Sequence, residues 1–149
     1  MSPSLNRFLS LAVLSISGTL GACAAGGASA PAAAPEPLWG SEWRLQDIGG
    51  QAVLPQPAAT LAFPQSGQVA GHGSCNRFFG PAEIDRDRVK FGPLASTKMA
   101  CMGGASEQES RYLGALQKAQ RYEVKGDTLL IHIQGMDQPL RFIRTAPRS

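Results

Sequence analysis

Three cysteines and two histidines are the side chains with most capacity for chemistry, and their spacing decides which chemistry is open. Cys23, Cys75 and Cys101 contain no C-x-x-C pair, the spacing disulfide oxidoreductases use. His72 and His132 show no motif spacing with each other. A Cys75–His72 dyad is conceivable, but residues three apart in an extended segment face opposite sides of the strand. There is no H-E-x-x-H and no paired metal-ligand motif. Gly103-Gly104 and Gly71-x-Gly73 lack the setting of a phosphate loop and read as turns. His72 is expected in a loop and His132 on the outer face of a strand. No catalytic residue, metal site or cofactor is expected, and the chain is read as a non-enzyme.

Cys23 has its own context. Arg7 is the single positive charge of a short leader, and an apolar run from Phe8 to Leu20 follows. That run is shorter than the roughly 20 residues needed to span a bilayer and suits the core of a signal peptide. It ends in Leu20-Gly21-Ala22-Cys23, which resembles the bacterial lipobox. The resemblance implies that residues 1–22 are removed and that the Cys23 thiol carries a diacylglyceryl group. Two or more buried acyl chains, at about 0.8 kcal/mol per CH₂, hold a protein stably at a membrane. Ala24 rather than Asp follows the cysteine, which favours the outer membrane, facing the periplasm. Residues 23–37 then read as acylated cysteine plus a Pro/Ala-rich tether, broken by Pro31, Pro35 and Pro37 and without a large apolar side chain before Leu38.

With Cys23 acylated, Cys75 and Cys101 remain, and an exported compartment is oxidising. A bridge between them is expected, the alternative being two buried thiols. Net charge is +3 and the basic residues are scattered singly, so nucleic acid is excluded as a partner.

These side chains need a scaffold, and residues 38–149 supply one domain's worth of chain. Glu42–Ile48 alternates Trp43 and Leu45 with polar neighbours, as a half-buried strand does, and Gly49-Gly50 turns it. Thr60–Phe63 and Gly67–Gly71 form a hairpin around Pro64 to Gly67. Cys75–Phe79 and Val89–Phe91 are short strands, with Asp85-Arg86-Asp87 a turn between them. Ser106 and Glu109 have capping-box spacing, ahead of a helix with Tyr112, Leu113, Leu116 and Ala119 on one face. Gly114 inside it costs about 1 kcal/mol against Ala, and either weakens the helix or marks a close contact. Gln120–Lys125 and Thr128–Ile133 make a hairpin across Gly126-Asp127, and Gln138–Arg144 closes the chain. The class is α+β, mainly antiparallel β, a strongly curled sheet or partial barrel with one α-helix.

Gly71-His72-Gly73-Ser74-Cys75-Asn76-Arg77-Phe78 resembles the first signature of the META/HslJ domain family, and Phe91 to Cys101, ending Lys98-Met99-Ala100-Cys101, resembles its second. The resemblance covers nearly all of Trp39 to Ile143. It implies a small β-rich envelope domain with one helix, linked in some relatives to heat shock and to novobiocin resistance, and no agreed catalytic residues. Asn76 reads as an Asx-type cap on a bend, and Asn76, Arg77 and Lys98 form a candidate binding surface for an anionic group. The expected role is stress or antibiotic tolerance through binding. Two further readings are an inhibitor or accessory subunit docking on one envelope protein, and a carrier of a small apolar ligand. A filled interior would count against the carrier, and an exposed apolar patch would favour docking.

Overall fold

The structure, a computed structural model, describes residues 36–145. The signal peptide expected over residues 1–22, Cys23 and the expected tether as far as residue 35 lie outside the described residues.

Alternation along the strands decides which side chains enter the core. In β1 (Glu42–Ile48), Trp43 and Leu45 point inward; a bulge between Leu45 and Asp47 then shifts the register, so that Asp47 and Ile48 are both buried. β2 (Gln51–Ala52) folds back on the end of β1, while β3 (Thr60–Ala62) pairs with its start. β4 (Gln68–His72), β5 (Arg77–Asp85) and β6 (Arg88–Phe91) follow as hairpins, and β7 (Ala95–Ser96) adds to the first half of β5. After helix α1 (Ala105–Leu116) come β8 (Ala119–Lys125), β9 (Thr128–Ile133) and β10 (Leu140–Arg144).

Every pairing is antiparallel, and β10 returns to pair with β1 from Trp43↔Arg144 to Ile48↔Leu140. The ring β1-β3-β4-β5-β6-β8-β9-β10 is thus a closed barrel, where the sequence led to a curled sheet or partial barrel. Closure removes two long edges that would otherwise offer unpaired N–H and C=O groups. The seam between β6 and β8 is the thinnest, with the single register pair Arg88↔Arg121.

The interior is filled. Trp43, Phe63, Phe78, Phe142, Leu61, Leu129, Ile131 and Leu140 are all fully or almost fully buried. α1 covers the end where Ile48 and Ile133 lie, sending Tyr112 and Leu116 inward. Tyr112 stacks edge-on against Phe78 and donates its hydroxyl to the Thr60 carbonyl at 3.1 Å. At the other end the Arg144 guanidinium lies 4.1 Å over the Trp43 ring and donates to Glu36 at 2.8 Å. Tyr122 donates to the Glu36 carbonyl, so the packed domain starts two residues before Leu38.

Three local expectations change. The strand foreseen at Cys75–Phe79 starts at Arg77 and runs on to Asp85, straight through Pro81. Pro81 sits where the neighbours of β5 change from β7 to β6 and at the end of its ladder with β4, so its missing N–H breaks no pairing. The helix is capped by Gly104 in the left-handed region, not by Ser106, because Glu109 is engaged elsewhere. Ala119 opens β8 instead of extending the helical face.

Candidate functional site

The two signature segments meet at the α1 end of the barrel. β4 ends at His72, whose Nδ1 accepts the Ser74 N–H at 3.2 Å, and the chain reverses through Gly73 and Ser74 into β5. A Cβ on Gly71 would collide with the Thr60 carbonyl and the Phe78 ring, and one on Gly73 would lie 2.5 Å from the Glu109 carboxylate. Ser74 is held at φ 97°, a conformation that costs a non-glycine residue about 1–3 kcal/mol. What fixes it is Gln108, which donates to Ser74 Oγ at 2.6 Å while accepting the Leu54 N–H at 2.6 Å.

Glu109 is the centre of this arrangement. Its buried carboxylate accepts the backbone N–H of Cys75 (3.1 Å) and of Asn76 (2.5 Å), and the Asn76 side-chain amide (2.9 Å). Successive N–H groups turned toward one anion form the concavity that many proteins use to bind phosphate, here occupied by the chain's own carboxylate. The other face of Asn76 reaches the second signature. Its Oδ1 accepts the Met99 N–H at 2.7 Å and the Thr97 hydroxyl at 2.9 Å. Thr97 Oγ1 in turn accepts the Arg77 N–H. Cys75 and Cys101 are joined by a disulfide, with Cα atoms 5.8 Å apart.

The three residues of the expected binding surface therefore separate. Arg77 and Lys98 are exposed, and neither forms an ion pair among the described residues. Asn76 is buried with its amide satisfied on both sides, so it does cap backbone, but the backbone of another loop, and it is not part of a surface. On the same outer face as Arg77, and next to Lys98 in sequence, the structure exposes apolar groups. Phe79, on the same outward face of β5 as Arg77, is 63% exposed; Met99 and Met102 are 58% and 93% exposed. A groove of about 460 Å³ runs past Phe79, with Pro64, Pro81, Pro93 and Ala95 along it. Phe79 is legible in the sequence from the adjacent pair Phe78-Phe79, which a strand splits between core and solvent, and the structure buries Phe78 and exposes Phe79.

Reactive groups are otherwise engaged. The Cys75 sulfur is bonded to Cys101 and His72 Nδ1 is taken. His72 ends β4 rather than lying in a loop, whereas His132 does sit on the outside of β9, 2.9 Å from Glu123. Hydrogen bonds from Lys125 and His132 hold the Glu123 carboxyl below the usual carboxylate range. Burial raises the Tyr112 hydroxyl well above its ordinary value, and burial with the charges of Asp87 and Glu36 raises Tyr122. The arrangement is a clamped, stapled loop pair presenting cations and apolar side chains.

Comparison with known proteins bears on the same span. A family model, the META domain, matches residues 36–147. A protein from Burkholderia xenovorans, solved by NMR, superposes with a TM-score of 0.62 at 23% identity over 80% of this chain and 97% of that one. A second NMR structure gives a TM-score of 0.59 at 20% identity over 71% and 90% of the two chains. Both show a shared fold. No curated protein matches this chain.

Proposed function

The chain belongs to the META domain family, and on that premise we propose that it is a non-enzymatic lipoprotein of the bacterial envelope, of the HslJ type, that acts by docking on one envelope protein. Cys23 is its lipid anchor, the outer membrane its location facing the periplasm, and stress or antibiotic tolerance the outcome of the binding. The observation that carries the docking reading is the strip of Arg77, Phe79, Lys98, Met99 and Met102, in which exposed apolar side chains stand beside cations that no described acid neutralises. Apolar groups left in water next to unpaired charge favour a partner that is apolar at its centre and acidic at its rim. The filled barrel argues against the carrier of an apolar ligand.

Photocrosslinking in the cell from positions 77, 79 and 98 tests the reading. One abundant envelope protein, captured from all three positions and lost from positions 77 and 98 when Phe79→Ser is added, is the expected result. Capture of nothing above background from any of them overturns it.

A further inference from the structure

We propose that a second site, a groove between α1 and the Gln134–Met136 turn, binds a small organic anion with an apolar body. The groove has a volume of about 550 Å³ and opens to solvent, a size that suits a small ligand. Its floor is apolar, from Ile48, Ala115, Ile133 and Met136. Its rim carries two cations, Arg111 and Lys118, and its lining contains no carboxylate. Arg111 is oriented by donating to Gln51 at 2.7 Å, and Lys118 forms no ion pair among the described residues. Positive potential over an apolar floor selects a ligand with one anionic end.

Gly114 is the independent sign that the groove is meant to be open. Arg111, Gly114 and Lys118 follow one another at helical spacing, so all three share a face of α1 or its immediate end. A glycine in a helix interior needs a reason, and the fold supplies none here. Gly114 has no positive φ, and a Cβ added to it would meet nothing within 4 Å. The close contact that would have explained it does not exist. What a side chain at 114 would do is stand in the groove between the two cations.

The probe is an aryl-diazirine carboxylate, an apolar ring with one anionic group, photolysed against the full chain in its membrane, with labelled peptides mapped by mass spectrometry. Labels on the Ser110–Lys118 and Ile133–Met136 segments, severalfold weaker with the uncharged methyl ester of the probe and in Lys118→Ala and Gly114→Leu, are the expected result. Gly114→Ala separates this from a structural role, because removing a helix-interior glycine with free space around it raises the melting temperature by about 5 °C while reducing the label. Labelling that is unchanged in Gly114→Leu, equal for the methyl ester, confined to the Phe79 groove, or absent overturns the proposal. It is independent of the docking face, which none of these variants touches.

Discussion

Glu109 receives both the backbone N–H and the side-chain amide of Asn76, a residue 33 positions earlier, so one helix side chain closes the turn on which both signatures depend. Loops at the end of a barrel have no ladder to fix them, and here buried polar bonds do that work. A buried carboxylate satisfied by three donors is stabilising only while all three remain.

Replacing Glu109 by Ala strands the buried N–H groups of Cys75 and Asn76, each worth roughly 1–3 kcal/mol when orphaned. We expect Glu109→Ala to lower unfolding free energy by about 3 kcal/mol, and Glu109→Gln by less, since one acceptor oxygen is kept. Urea titration followed by circular dichroism measures both. A value for the Ala variant within about 0.5 kcal/mol of the parent would mean that the carboxylate is not the clamp.

The Cys75–Cys101 bridge spans 26 residues of sequence, and constraining a loop of that length in the unfolded chain is worth about 3–4 kcal/mol. The doubly substituted Cys75→Ala, Cys101→Ala chain should lose stability of that order, and dithiothreitol should do the same to the parent. The variant itself should be indifferent to the reductant. Equal stability of parent and variant would show that the bridge constrains nothing.

Both tyrosines resist ionisation in the fold, Tyr112 through burial most of all. A group whose folded value is raised contributes stability that is whole below its unfolded value and is lost as pH rises toward the folded one. Absorbance of the phenolate should therefore stay flat through about pH 10, where a free tyrosine titrates, and rise together with alkaline unfolding. Tyr112→Phe should cost about 1 kcal/mol at neutral pH by removing the bond to Thr60, yet push the alkaline transition upward. Phenolate signal for both tyrosines near pH 10 in a still-folded chain would contradict the burial.

If Cys23 is acylated, cells fed an alkyne-bearing palmitate should label the chain, and Cys23→Ser should abolish the label and release the domain from the membrane fraction. An unlabelled parent chain would remove the anchor from the proposed function.

Much of the fold was legible because it is local. The hairpins at Gly49-Gly50, Gln65–Gly67 and Gly126-Asp127 announce themselves by turn chemistry, and Leu129, Ile131 and Ile133 by alternation. Closure was not, since nothing near Trp43 in sequence says that its partner is Arg144. The site was misread for a related reason. Ser106 and Glu109 fit a capping box by spacing, but the carboxylate gains more from three buried donors than from one helix-end N–H, and that alternative is visible only once the Gly73–Asn76 turn is in place. Asn76 looked like a surface residue for want of the same partner. Gly114 could only be weighed after its surroundings were known to be empty.

Glu36 ties the start of the domain to Arg144 and Tyr122, at the barrel end away from α1. Any mechanical load carried along the residues before it enters the barrel at this knot. Because Arg144 belongs to β10 and Tyr122 to β8, and Arg144 lies against Trp43 of β1, the pull is shared by three strands at once. A tug from upstream would have to break the barrel across its width, where a tether joined to a lone terminal strand would peel it open one hydrogen bond at a time. The knot at Glu36 and the clamp at Glu109 thus brace opposite ends of the same barrel.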